Sequence, residues 1–217
     1  MNVSNTTNSS SQSPGRCSKH DVVFAICTTG IIPGDIKSET RLTALKSFLS
    51  QIVAGLKVTA KTDQVALVTF ERSAYIEFYL NSYGNSTQLA GAIDKFGCHK
   101  CRNDETSAAS ALSTIKKEVL TKYKGYRTEA SQIVVIITDR WWTVDLATTD
   151  RLVTELRNAG AFVILVGVTD ALDEEDLRLF ATPTLKGKSQ QLLWAENFAS
   201  LNKLVPKVNK TIETIAC

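Results

Sequence analysis

Catalytic chemistry is scarce in this sequence. It has two histidines, His20 and His99, in 217 residues. It contains no P-loop, no GxGxxG, no GxSxG and no HExxH, which removes the common nucleotide, serine-hydrolase and zinc-protease signatures. His20 precedes the first strand, so a Ser-His-Asp arrangement would have to use His99 on a loop. The expectation is a domain that is not an enzyme. No apolar run approaches the ~20 residues a bilayer span needs. No charge sign dominates either: 25 Lys and Arg stand against 22 Asp and Glu, a net charge of +3. That balance argues against nucleic acid or an acidic membrane surface as the main partner. Met1 leads into polar residues, so no signal peptide is visible. The chain reads as cytosolic, or as a piece of a mature secreted protein with an added start.

What is present suits one globular domain. The chain is 43% hydrophobic and 22% charged, enough for a core of its own. Three apolar runs stand out: "DVVFAICTTG" (21–30), "SQIVVIITDR" (131–140) and "AFVILVGVTD" (161–170). Each ends in polar residues, as strands buried on both faces of a parallel sheet do. Their carboxyl ends should gather at one rim, where open α/β sheets bind ligands.

The first 18 residues are Asn/Ser-rich and lack apolar residues, so a disordered tail is expected there, with the domain over 19–217. Sequons head at Asn2, Asn5 and Asn8, where composition alone produces them, and at Asn85 and Asn209, the candidate glycosylation sites. Cys17 precedes the first strand and Cys217 ends the sequence. A doubly wound fold can bring both together, so a Cys17–Cys217 bridge is expected, with a secreted, extracellular location. In the loop-entropy account such a bridge constrains the unfolded chain by roughly 4 to 5 kcal/mol.

Between these ends the elements alternate. Leu42, Leu45, Phe48, Leu49, Ile52, Val53 and Leu56 mark a long amphipathic helix. "DQVALVTF" and "SAYIEFYL", with only Glu71-Arg72 between them, predict a hairpin and an antiparallel edge strand. Helices are predicted over about 87–95, 108–120, 146–158 (with Gly160 as cap) and 170–180. "SQQLLWA" should be a last edge strand, with Trp194 in the core. Phe198 to Ile215 mark a closing helix that Pro206 starts or kinks. The fold class is α/β: a doubly wound, mostly parallel six-stranded sheet with one antiparallel edge strand and helices on both faces.

This order, with its hairpin after the first helix, resembles the von Willebrand factor type A domain (integrin I-like) over about residues 20–216. The matching stretches are "DVVFAICTTG", "VALVTFERSAYIEFYL", "ETSAASAL" and "VVIITDR". The family commonly holds a divalent cation at the rim, through DxSxS after the first strand, a loop Thr and an Asp after the fourth strand. Laid on this sequence, the DxSxS carboxylate position is Cys27, the first hydroxyl is Thr29 and the second is Ile31. The loop Thr matches Thr106 and the later Asp matches Asp139. Hard cations need several oxygens, and the charged ones dominate affinity. The resemblance therefore implies a degraded site, Thr29, Thr106 and Asp139, with no stable Mg²⁺ or other cofactor. A ligand's own carboxylate would be needed to complete even a weak divalent site.

The rim offers other chemistry. Cys98-His99-Lys100-Cys101 precedes Thr106. It reads as a Cys98–Cys101 disulfide, a disulfide of Cys27 with either, a zinc site or free thiols. Trp141 and Trp142 follow Asp139-Arg140, and adjacent side chains on a loop do not easily both point inward. Exposed Trp and Arg are typical binding anchors, although both rings could pack under neighbouring loops. Arg140, Trp141, Trp142 and His99 are thus the candidate ligand-binding residues. The resemblance implies an extracellular adhesion domain whose partner is a protein, in the class of collagen or another matrix component. The competing expectation is a structural module of a longer matrix protein, with no rim ligand.

Overall fold

The structure is a computed structural model and describes residues 18–100, 105–140, 144–168, 181 and 191–215. Six strands form one sheet in the order β3-β2-β1-β4-β5-β6. They are β1 His20–Cys27, β2 Asp63–Phe70, β3 Ala74–Phe78, β4 Ser131–Thr138, β5 Phe162–Val168 and β6 Leu192–Ala195. All neighbours are parallel except β2 and β3, which pair antiparallel. The expected sheet, with its antiparallel edge, is the observed one.

β1, β2 and β4 are buried along their whole lengths. Period-2 alternation sends their side chains to two faces. Val22, Phe24 and Ile26 join Leu45, Phe48, Leu49 and Ile52 of α1 (Ile36–Ala54) on one face. Val208 and Ile212 of α5 (Val205–Thr214) share that layer. Val23, Ala25 and Cys27 face α3 (Ala108–Thr114) and α4 (Leu146–Asn158) on the other. A short α2, Ser86–Ile93, is capped by Asn85.

Turn chemistry places the helix ends. Asp35 caps α1 by accepting from the Ser38 N–H at 2.8 Å. α4 ends in paired backbone bonds: Gly160 N–H donates to Arg157 at 2.9 Å and Ala161 N–H to Leu156 at 3.0 Å. Gly160 takes the left-handed φ of 91° that this ending requires.

Two predicted helices need correction. The one expected over 108–120 is α-helical only to Thr114 and then widens into a π turn, Ile115–Val119. Leu120 N–H bonds back to Ile115 at 2.9 Å, and the wider turn buries both Ile115 and Val119. The closing helix begins as a 3-10 segment, Phe198–Leu204, and becomes α-helical only at Val205, with Pro206 in its first turn. There Pro has no N–H to lose. The helix expected over 170–180 lies outside the described residues, as does the N-terminal tail. Trp194 is half-buried rather than core. Its ring lies over Gly167, where a Cβ would come within 2.5 Å of it.

At the amino ends of the strands one ion pair ties three segments. Asp21 is fully buried. It accepts from the Arg127 backbone N–H at 2.8 Å, and from the guanidinium at 2.9 and 2.7 Å. Arg127 also donates to the carbonyls of His20 and Thr62 at 3.0 and 2.7 Å. Burial raises the Asp21 carboxyl pKa, against the lowering effect of Arg127. A raised acid pKa means stability is lost as pH rises through it. Arg127→Met removes the opposing effect and leaves a buried carboxylate alone. It should cost about 3–5 kcal/mol at pH 7 in urea denaturation. The cost should shrink as pH falls toward about 4, where the proton replaces Arg127. Equal costs at both pH values would contradict this account.

Candidate functional site

The carboxyl ends of β1 and β4 and the loop before α3 meet at one rim. β1 ends at Cys27, and Thr28 N–H bonds to Phe70 of β2 at 2.9 Å. Gly30 turns the chain with φ 75°. Ile31 then folds back into the core, 2% exposed. Ser38 fixes this turn from α1, its hydroxyl donating to the Gly30 carbonyl at 3.3 Å and to Asp35 at 2.8 Å. The loop before α3 is held to β2 through Ser107 N–H on the Glu71 carbonyl at 2.9 Å. That brings the Thr106 hydroxyl to Thr29, donating at 3.0 Å; both residues are fully buried.

Cys27 is a free, buried thiol. Burial pushes its pKa up, the Asp139 charge pushes it further, and hydrogen bonds with Thr29 oppose them. Cys27, Thr29, Thr106 and Asp139 therefore lie together at the rim.

Asp139 is already paired within the chain. Its side chain is 10% exposed and forms an ion pair with Arg41, which reaches across from α1. Arg140 Nε stands 3.6 Å from its other oxygen. The Arg41 guanidinium also lies over the Phe198 ring, 5.0 Å from its centroid. Thr138 shapes this corner, donating to the Arg140 carbonyl at 2.8 Å. Arg41 was missed in the sequence, where it is one more charge on an amphipathic helix.

The remaining predicted residues are scattered around the rim or lie outside the description. His99 turns back onto the edge strand. Its ring stacks on Tyr75, with centroids 4.1 Å apart, and Nε2 meets Glu77 at 2.7 Å. The Glu71 carboxylate holds the same loop, accepting from the His99 and Lys100 N–H groups at 3.3 and 3.4 Å. Cys98 is disulfide-bonded. Since Cys27 is free, a Cys27–Cys98 pair is excluded. Cys17, Cys101, Cys217, Trp141 and Trp142 lie outside the described residues. Among the described residues no group of three or more His, Cys, Asp or Glu is placed to hold a metal.

The two better sequons differ. Asn85 is exposed, and its side-chain oxygen caps α2 by accepting from Gln88 N–H at 2.9 Å. Asn209 packs on Gly55: a Cβ there would stand 2.2 Å from its amide nitrogen. A glycan on that nitrogen would have to break this contact.

The family model of the von Willebrand factor type A domain matches residues 21–207. The chain belongs to that family. Human collagen alpha-1(XX) chain is 30% identical over 139 residues, 64% of this chain and 10% of its own length. Mouse matrilin-3 is 26% identical over 172 residues, covering 78% of this chain and 34% of its own. This type A domain thus spans about a third or less of the curated relatives named here. Among solved structures it resembles proximal thread matrix protein 1 of the mussel byssus with a zinc-occupied site. The TM-score is 0.77 at 18% identity, covering 89% of this chain and 48% of that one. Family membership and these matrix relatives make the chain a non-enzymatic type A domain.

The donors present here do not fit the family's cation. The carboxylate position is a thiol kept neutral by burial, and the second hydroxyl position is an aliphatic side chain in the core. The one remaining carboxylate is already paired with a guanidinium. Hard divalent ions need more charged oxygens than these.

The thiol gives a direct check of the site. Cys27 should resist iodoacetamide in the folded protein at pH 8 and react once urea unfolds it, as read by peptide mapping. Rapid labelling of the folded protein would contradict the burial described.

Proposed function

We propose that this domain is secreted and binds a protein of the extracellular matrix, in the class of collagens, through the carboxyl-end rim and without a stably held Mg²⁺. One observation carries the reading. Four large hydrophobic residues are exposed among the described residues, and three of them, Ile32, Ile36 and Leu146, belong to rim segments. Ile32 and Ile36 flank the turn into α1, and Leu146 opens α4. Arg140 lies at the same rim beside Asp139, and Trp141 and Trp142 follow it in sequence. Apolar residues gathered at one end of a domain mark a contact surface, and Trp and Arg are its usual anchors. The matrix relatives support the location. Ser18, next to Cys17, and Ile212 and Glu213, close before Cys217, line the same cavity of about 460 Å³. That supports a Cys17–Cys217 bridge.

Asn85 is the sequon we expect to carry a glycan, since its capping bond uses the oxygen and leaves the nitrogen. Made in secretory cells, Thr87→Ala should lose one N-glycan by mass and keep its melting temperature. Asn85→Ala should lose the glycan and about 1 kcal/mol of stability with the cap.

The rim is tested by Trp141→Ala and Trp142→Ala in surface plasmon resonance against fibrillar collagens and other matrix proteins, with and without EDTA. Binding should weaken about tenfold or more, the loss of one hot-spot side chain, and EDTA should change nothing. Binding indifferent to both substitutions would favour a structural module. Binding abolished by EDTA would overturn the metal-free rim.

A further inference from the structure

We infer that Arg41 takes the place of the divalent cation in this type A domain: its guanidinium is a built-in counter-charge for Asp139, and it keeps metal ions out of the rim. The inference rests on the metal-free rim proposed above and names the group responsible. A carboxylate that is nine-tenths buried cannot stay ionised without a partner. Asp139 finds that partner in Arg41, 98 residues away in sequence and on a different element. The contact is therefore a tertiary one, made when α1 packs on the sheet.

Charge accounting supports the exchange. The family pattern sets two carboxylates against one divalent ion. Here Cys27 removes one carboxylate, and one guanidinium balances the other. Arg140, 3.6 Å from the second Asp139 oxygen, adds to the positive side, and Asp35 near α1 feels the Arg41 charge from outside. Divalent ions would enter this volume against two guanidinium groups.

Arg41 is also held in place. It is 20% exposed and lies against Phe198. The first turn of α1 below it is fixed twice, by the Asp35 cap and by the Ser38 bond to Gly30. Gly30 belongs to the turn that in the family carries the cation's hydroxyl ligands. The segment that loses the metal is the one that positions its replacement.

The test uses Mn²⁺ alone, by calorimetric titration of the folded domain. Wild type should bind no Mn²⁺ at millimolar concentrations. Cys27→Asp with Ile31→Ser restores the missing oxygens but keeps Arg41, so it should bind weakly. Adding Arg41→Gln should then tighten binding about tenfold or more. Equal affinity with and without Arg41 would overturn the inference, as would Mn²⁺ binding by wild type. If the triple variant does not fold, a double-mutant cycle of Arg41→Gln and Asp139→Asn in urea denaturation replaces it. The two losses should be far from additive, with Asp139→Asn partly rescuing Arg41→Gln. Additive losses would show that the pair does not interact. Because no protein ligand is present, either failure is distinct from a failure of the binding surface itself.

Discussion

A charge taken out of water must meet its opposite. Asp139 sits at the end of β4, one residue beyond a strand that is buried throughout. The sheet order places β4 beside β1, so this carboxylate opens onto the Cys27–Ile31 turn and the start of α1. Everything at the rim follows from how it is neutralised. Arg41 does so from α1, which in turn needs α1 seated on the sheet by Leu45, Phe48, Leu49 and Ile52. Core packing and rim electrostatics are thereby coupled through a single helix.

The two ends of the sheet solve the same problem in the same way. At the amino ends Asp21 is buried against Arg127; at the carboxyl ends Asp139 is buried against Arg41. In both cases a planar guanidinium reaches a carboxylate and also rests on something else: backbone carbonyls for Arg127, the Phe198 ring for Arg41. Arg suits this role because it presents several fixed donors and stays charged when desolvated. The ends differ in how completely the groups are satisfied. The Asp21 oxygens all have donors, whereas Asp139 Oδ1 has no hydrogen bond and Arg41 Nε has none either. Unsatisfied buried polar atoms in a native fold call for an explanation. On the inference drawn above, the guanidinium stands in a volume that the family's cation fills elsewhere and fits it incompletely.

The sheet was legible because buried parallel strands write themselves as unbroken apolar runs. Val22–Ile26 and Ile133–Ile137 need no partner to be recognised. The site was half legible: Cys27, Thr29, Ile31 and Asp139 lie in short motifs close to strand ends, so their meeting follows once the strand order is known. Arg41 was hidden because its partner is far away in sequence and its own surroundings are an ordinary helix face. No local signal separates an Arg that swings to Asp139 from one that points to water. The π turn after Thr114 was hidden for a related reason. Ile115 and Val119 keep helical spacing, and only packing decides whether the turn closes at four residues or five. His99 looked like a free rim residue because Tyr75 and Glu77, which hold it, are more than 20 positions earlier.

Neutralising the rim from within changes what the rim can recognise. A divalent ion with an open coordination position attracts a partner's carboxylate strongly and from one direction. A guanidinium already paired with Asp139 and resting on an aromatic ring offers far less unspent charge. For the proposed binding rim, recognition would then come from area and shape, which fits the placing of Ile32, Ile36 and Leu146 around the same end. Such a surface gains affinity by excluding water from apolar side chains, a force that chelators leave untouched. On the proposed reading, the loss of the cation and the placing of apolar side chains at the rim would be two sides of one change. The first would remove the directional contact, and the second would supply a broad one in its place.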